Sequence, residues 1–318
     1  MQKKAMFYTT AAIALTIVII ATYSSYSAYR LNEKMDAIQN RIETVNFFIK
    51  DVEKDIGKGA NIAGFRTLLS FNQHVATNGT YLSNVNEKFK ESFLNGTINN
   101  QPLNLMKDSS FTDWANKISA EANKVDIIFS FQINNIKLTQ SDPWYVDVGI
   151  NLSLDIRDKR NTSYWIRDRY LTTRINIIGF EDPLYIVASN GRVTNAIRQS
   201  NITNFVVGGN VKDLMTQTNN SWYIAHNDSP SFLMRFEGNL DNSTYGIESL
   251  VNLEEFIQQG LTLKDRSVVD YIYFGTKSTT NFRVNVTPEW FKIDGTLPAP
   301  GPNKGEHLDV YQVRNITI

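Results

Sequence analysis

The chain has 318 residues, with 32 basic and 32 acidic side chains and no cysteine. Its balanced charge argues against nucleic acid as the main partner, because phosphate neutralisation needs a basic excess. The lack of cysteine excludes disulfides, thiolate metal sites, cysteine nucleophiles and iron–sulfur clusters. Only His74, His226 and His307 are present, so most zinc and catalytic-triad chemistry is not expected. An aromatic content of 12% is too high for a disordered chain.

An uncharged, apolar run at residues 5–23 follows the basic residues Lys3 and Lys4. About 20 helical residues at 1.5 Å rise cross a hydrocarbon core of about 30 Å, so the run predicts a transmembrane helix. A cleaved signal peptide is the alternative, with the small residues at 24–28 offering a cleavage site. The helical pattern continues beyond that point, which favours an uncleaved anchor.

A stripe of apolar residues, here called the seam, follows at alternating spacings of four and three, with charged residues on the other faces. The seam consists of Leu31, Met35, Ile38, Ile42, Val45, Ile49, Val52 and Ile56. This heptad spacing predicts a coiled-coil-like helix that Gly57 and Gly59 would end. The simplest prediction is one helix of about 50 residues, and the alternative is an anchor followed by a separate amphipathic helix. Either partner helices or the rest of this chain must cover the seam.

The orientation in the membrane is predicted from Lys3 and Lys4, since basic residues next to a span stay cytoplasmic. Ten Asn-x-Ser/Thr triplets, all after the apolar run, indicate that the bulk of the protein lies outside. Asn227 and Asn285 have a proline directly after the triplet, which disfavours modification. The remaining glycosylation candidates are Asn78, Asn95, Asn151, Asn161, Asn201, Asn219, Asn242 and Asn315.

After the seam, the apolar spacing is first helical and then strand-like. Residues 61–124 carry apolar residues at helical intervals, whereas residues 127–133, 146–156 and 164–178 alternate with a period of two. The last two runs predict an antiparallel hairpin. Shorter strands are predicted at residues 184–188, 205–207, 222–225, 232–236, 268–274, 282–286, 290–293 and 308–313. Short helices are predicted at 211–216 and 253–258, and a loop at 298–305.

The predicted fold class is therefore α+β, in four parts. Residues 1–29 form a cytoplasmic stub and transmembrane helix, and residues 30–57 form an amphipathic stalk. Residues 61–124 form a helical region, and residues 125–318 form a β-rich, mainly antiparallel, extracytoplasmic head.

This layout resembles the type IV pilin and pseudopilin class, including archaeal pilin-like proteins, over residues 1–56. In that class a membrane peptidase cuts after a small residue that follows basic residues. The resemblance therefore implies a processing site formed by Lys4, Ala5 and Met6, with the cut between Ala5 and Met6. The resemblance implies a helix that packs with other subunits. Thr10 stands where bacterial members usually carry a glutamate, and the head of about 260 residues suits a minor or tip subunit.

Motifs that would identify an enzyme, such as a phosphate-binding loop, H-E-x-x-H or G-x-S-x-G, do not occur in the sequence. Asp270 and Glu248 lie in apolar runs and are the best candidates for acid–base catalysis, although a structural ion pair is the simpler interpretation. His226 is expected in a surface loop, and a calcium site near Asp241 and Glu237 fits the calcium-loop pattern poorly. We therefore expect no catalytic residue, no cofactor and no metal.

The sequence thus predicts a non-enzymatic, glycosylated cell-surface protein with a single membrane pass. In the first hypothesis it is a pilin-like subunit of a surface filament or secretion apparatus, assembling with itself or with similar subunits. The alternative is a tethered adhesin or receptor for a surface glycan or protein that does not polymerise. A tethered hydrolase using Asp270 and Glu248 is a third hypothesis.

Overall fold

The computed structural model describes residues 2–297 and 306–318, with side chains from Phe7 onward in the first range. The side chains of Lys4, Ala5 and Met6 and the loop predicted at 298–305 lie outside the described part. The α-helices are α1 (Gln2–Asn78), α2 (Val85–Asn95), α3 (Phe111–Lys124), α4 (Pro183–Ala188), α5 (Lys212–Asn219), α6 (Phe232–Glu237), α7 (Leu253–Gln258), α8 (Asp270–Phe274) and α9 (His307–Val310). The strands are β1 (Thr97–Ile98), β2 (Gln101–Pro102), β3 (Ile127–Asp142), β4 (Tyr145–Asp158), β5 (Tyr164–Asn176), β6 (Tyr223–Ala225), β7 (Ile247–Ser249), β8 (Asn281–Arg283) and β9 (Lys292–Asp294). An α+β fold with a long N-terminal helix and antiparallel sheets is confirmed.

Helix α1 is one continuous element of 77 residues, and the prediction that Gly57 and Gly59 end it is wrong. Each glycine costs only about 1 kcal/mol in a helix, and the apolar face that continues to Val75 is buried and outweighs that cost. The helix ends instead at Asn78, and the next residue, Gly79, has a left-handed φ of 64° and donates its N–H to the carbonyl of Val75 at 2.8 Å.

Strands β3, β4 and β5 form a sheet in that order. Two residues join β3 to β4 and five join β4 to β5, so consecutive strands pair as antiparallel hairpins, as predicted for β4 and β5. In β4 the apolar residues at alternate positions from Val146 to Ile156 are buried, while Asn151 is exposed on the other face. The alternation read from the sequence thus corresponds to a half-buried sheet.

Beyond residue 180 most of the predicted strands are wrong. Helices α4, α6, α8 and α9 occupy the runs at 184–188, 232–236, 268–274 and 308–313, and no named strand covers residues 205–207 among the described residues. A short apolar run fits a buried helical turn and a buried strand equally well, so the capping residues at its ends decide which of the two forms. Asp182 caps α4 by accepting from the N–H of Leu184, and Gly238, with φ of 66°, ends α6.

Several other short elements agree with prediction, whereas β1, β2 and β7 lie outside every predicted strand run. Strands β6, β8 and β9 lie within or beside the runs at 222–225, 282–286 and 290–293, and α5 and α7 match the two predicted short helices. The chain beyond residue 180 therefore consists of short helices and two-stranded antiparallel sheets, and is less rich in strands than predicted.

The chain divides into two compact units. Unit one comprises Met1–Ile56, Lys117–Gln132 and Ser153–Asp168, and unit two comprises Gly57–Asn116, Ile133–Leu152 and Arg169–Ile318. An apolar core inside unit two includes Leu184, Tyr185, Leu250, Phe291 and Tyr311, all almost fully buried. This core supports the polar clusters described below.

Candidate functional site

The N-terminal stretch of α1 is exposed and apolar. From Phe7 to Tyr29 it carries no charged residue, and its most apolar 18-residue window has no buried residue. The hydroxyls of Thr16 and Thr22 donate to the carbonyls of Ala12 and Val18, each at 2.9 Å, so they need no water. By length and composition alone, this helix could cross a membrane.

Tyrosines lie at both ends of that stretch, a feature that the sequence analysis missed. Tyr8 precedes the aliphatic residues, Tyr23, Tyr26 and Tyr29 follow them, and all four side chains are exposed. The rise from Tyr8 to Tyr26 is about 27 Å, close to the thickness of a hydrocarbon core. Arg30 lies over the Tyr26 ring, with its Cζ 5.9 Å from the ring centroid. This arrangement is typical of the aromatic belts at membrane interfaces.

The seam falls into two halves that differ in exposure. In the proximal seam, Leu31, Met35, Ile38 and Ile42, the side chains are 38–60% exposed. In the distal seam, Val45, Ile49, Val52 and Ile56, they are 2–8% exposed. Coverage by the described part of this chain therefore stops between Ile42 and Val45.

Contacts inside unit one hold α1 at that boundary. The guanidinium of Arg41 donates to Asp158 Oδ1 at 2.7 Å and to the carbonyl oxygen of Asp126 at 2.8 Å. The rings of Phe48 and Phe129 lie edge to face with centroids 6.3 Å apart. The helix is thus fixed beside the ends of β3 and β4 by one partly buried ion pair and by ring packing.

All eight glycosylation candidates have exposed side chains. The amide of Asn78, the last residue of α1, lies 2.8 Å from His74 Nε2. Exposure is necessary for modification, and asparagines are usually exposed, so the glycosylation of these residues stays a prediction.

Asp270 does not lie in a strand, as its spacing predicted, but is the first residue of α8. Its carboxylate accepts from Arg235 Nη1 at 2.9 Å and from Ser249 Oγ at 2.8 Å, and Asp182 binds the same guanidinium. All three charged side chains are fully buried. Burial raises the pKa of Asp270, although Arg235 opposes this. The arrangement is the buried ion pair that the sequence favoured over catalysis.

Glu248 lies in a second polar cluster within unit two. Strands β6 and β7 are antiparallel, with Ile224 paired to Glu248, and His226 directly follows β6. Glu248 Oε2 lies 2.8 Å from His226 Nδ1 and 3.2 Å from His307 Nε2, while Oε1 accepts from the hydroxyl of Tyr311 at 2.9 Å. The pairing of β6 with β7 thus brings His226 to Glu248, 22 positions later in the sequence. His307, 59 positions after Glu248, reaches the same carboxylate through the tertiary fold.

Carboxylates face both ring nitrogens of His307, since its Nδ1 lies 2.8 Å from Asp294 Oδ2. Burial alone would lower the pKa of His307, but the charges of Glu248 and Asp294 raise it to about 10. Burial would likewise raise the pKa of Glu248, but His307 and His226 hold it well below its usual range. In this hydrogen-bonded state the cluster therefore carries a protonated His307 and an ionised Glu248.

A cavity of about 860 Å³ in unit two adjoins this cluster. Its walls include His307, Tyr271, Asp294, Asp228 and Glu306. The hydroxyl of Tyr271 lies 3.1 Å from His307 Nε2. The charged lining residues are therefore four carboxylates together with Lys277 and His307.

Sequence reasoning missed this cluster. His226 is not a surface-loop residue, because its side chain is only 12% exposed. Glu237, considered for calcium, accepts instead from the N–H of Val85 at 2.7 Å. The available signal was a glutamate inside the apolar run at 247–251, but the sequence does not show which histidines face it.

No protein-family model, curated protein or solved structure matches this chain. Two features remain for a functional argument: the exposed proximal seam and the cluster of His226, Glu248 and His307.

Proposed function

We propose that this chain is a membrane-anchored surface protein that assembles, through α1, with copies of itself or with subunits of similar design. In this proposal residues 7–29 cross the membrane with the N-terminus in the cytoplasm, and most of the chain lies outside. The role is that of a pilin-like minor or tip subunit of a surface filament or secretion apparatus. The exposed proximal seam is the observation that carries the proposal.

The position of the proximal seam favours a helical partner over lipid. Glu33, Lys34 and Asp36 lie between its members on the same helix and are too polar for a hydrocarbon core. In water, each large apolar side chain left uncovered forgoes about 1.5–3 kcal/mol of burial energy. A heptad stripe of this kind is covered best by another helix with the same spacing.

The resemblance to pilin-like proteins and the surface exposure of the glycosylation candidates support the same proposal. An uncharged stretch after Lys3 and Lys4 continues without a break into the seam. In pilin-like proteins such a helix packs against the helices of neighbouring subunits. The departure at Thr10 lies in the uncharged stretch and not in the seam.

The absence of cysteine allows a direct cross-linking test of this proposal. In membranes, oxidation of the Met35→Cys variant of the full-length chain is expected to form a disulfide between two copies, and a thiol-attached photoreactive cross-linker at the same residue is expected to capture a different subunit that lacks cysteine. Asn40→Cys is the matched control, because Asn40 is exposed on the opposite side of the same helix. A Met35→Cys chain that remains uncross-linked, or that behaves like the control, contradicts assembly through the seam.

A tethered receptor that does not polymerise is the second candidate, and the cavity of about 860 Å³ favours it. In that case the surface ligand binds in unit two and the N-terminal helix is only an anchor. The two candidates differ in the cross-linking test, since a receptor of this kind gives no product from residue 35.

A further inference from the structure

We propose that His226, Glu248 and His307 form a binding site for a single divalent transition-metal ion, with Zn²⁺ as the best fit. One ligand atom from each of these residues lies within 4.8 Å of the other two. All three residues belong to unit two, so the site is independent of the role proposed for the N-terminal helix. It is a metal-binding site that the sequence did not suggest.

The separations of the donor atoms suit a tetrahedral ion. Bonds of about 2.0–2.2 Å to nitrogen and oxygen place tetrahedral ligands about 3.4 Å apart. Glu248 Oε2 lies 2.8 Å from His226 Nδ1 and 3.2 Å from His307 Nε2, so these two separations need to widen by only a few tenths of an ångström, and the ligand nitrogens of the two histidines lie within 4.8 Å of each other. The ion then replaces the protons that now lie between these atoms.

The surroundings of His307 are those of a metal ligand. Metal-binding histidines almost always donate their second ring N–H to a carboxylate or carbonyl, which fixes the tautomer. Here Asp294 Oδ2 accepts from Nδ1 at 2.8 Å and leaves Nε2 directed at Glu248. Asp294 is therefore the positioning residue for this ligand, and the hydroxyl of Tyr311 orients the other oxygen of Glu248.

The ligand set and the cavity indicate the class of ion. Two imidazoles and a carboxylate suit Zn²⁺ and neighbouring divalent metals, whereas Ca²⁺ and Mg²⁺ prefer oxygen ligands alone. Three protein ligands leave at least one position for water or another ligand. His307 lines the cavity together with Asp228 and Asp241, whose negative charge attracts a cation, while Glu306 is paired with Arg314 and Lys277 also lines the cavity.

The test uses the full-length chain in non-ionic detergent, stripped with a chelator and titrated with Co²⁺ and then Zn²⁺ at pH 8. One equivalent of Co²⁺ is expected to give visible absorption bands of a low-coordinate nitrogen–oxygen site, and Zn²⁺ is expected to displace it. His226→Gln and Glu248→Gln are each expected to weaken binding by on the order of 100-fold or more, and Asp294→Asn by about 10–100-fold.

His74→Gln is the matched control, because His74 lies on α1 outside the cluster. Glu248→Gln removes a buried charge, so its folding must be checked by circular dichroism; His226 is partly exposed and provides the milder variant. Failure of the wild-type chain to bind Co²⁺ or Zn²⁺ stoichiometrically overturns the proposal. So does binding that His226→Gln leaves unchanged, or that His74→Gln weakens to the same extent.

Discussion

Buried charges in this protein are paired, and each pair links parts of the chain that are distant in sequence. Arg235 joins Asp182 to Asp270, and Arg41 joins α1 to Asp158 at the end of β4. Removing one member of such a pair leaves an uncompensated buried charge, which costs several kcal/mol. These pairs therefore specify which segments meet, even where their net contribution to stability is small.

At the residue scale, Asp158 predicts how the stability of the fold changes with pH. Burial alone would raise the pKa of Asp158, but hydrogen bonds from Thr162 and Arg41 lower it from 3.8 to about 2. Because the folded-state value is depressed, the stabilisation is present above pH 3.8 and is lost as the pH falls through about 2. The shift corresponds to about 2 kcal/mol.

Urea unfolding of the wild type and of Asp158→Asn checks this. The wild type is expected to be more stable at pH 7, and the difference should shrink by about 2 kcal/mol between pH 4 and pH 2. Asp155→Asn is the control, since Asp155 is 29% exposed and its partner Arg157 is 54% exposed, so that ion pair is far less buried than the one at Asp158. A stability difference that stays constant across this range contradicts the assigned cause.

At the scale of elements, Gly57 and Gly59 have different roles in α1. A methyl group added at Gly59 would lie 2.7 Å from Cδ1 of Trp114, whereas one at Gly57 would meet no atom within 4 Å. Gly59 thus permits the close approach of the indole. Gly57 has no such role and only lowers the helical propensity of the segment.

Paired alanine substitutions test this difference. Gly59→Ala is expected to destabilise the protein by about 1–3 kcal/mol through overpacking against Trp114. Gly57→Ala is expected to stabilise it by up to about 1 kcal/mol through helix propensity. Thermal unfolding of both variants beside the wild type provides the measurement, and equal effects of the two substitutions would contradict the proposed packing.

Prediction from sequence succeeded where the apolar pattern was long and failed where it was short. The seam and the alternation in β4 each extend over many residues, so their periods are unambiguous. The run that contains Asp270 is only a few residues long, and its helical state depends on contacts with distant residues such as Arg235. The cluster around Glu248 was missed for the same reason, since only tertiary pairing brings its histidines together.

At the scale of the whole molecule, the first residue of the mature protein distinguishes a processed pilin-like subunit from an unprocessed membrane anchor and from a protein with a cleaved signal peptide. In the pilin-like proposal we expect mass spectrometry of the protein from its native membrane to find Met6 at the start. Such a cut keeps the uncharged stretch joined to the seam, so the two can act as one packing surface. An Ala5→Leu variant, which lacks the small residue before the cut, should remain unprocessed.

An intact Met1 would leave a membrane anchor without prepilin processing. A start near Ala28 would instead indicate a signal peptide and would separate the proximal seam from any membrane. Either result contradicts the pilin-like form of the proposal while leaving the metal site in unit two unaffected.

Under the proposed function, the continuity of α1 has a consequence for how the protein could be released from a membrane. Many surface proteins are released when a protease cuts a flexible loop between the anchor and the folded part. Here the helix that begins at Gln2 also contributes Leu68, Phe71 and Val75, all fully buried, so the described residues contain no loop between the two. In the proposed orientation, release would require a cut inside a hydrogen-bonded helix, and the proximal seam is the part of that helix outside the membrane that the described residues leave exposed.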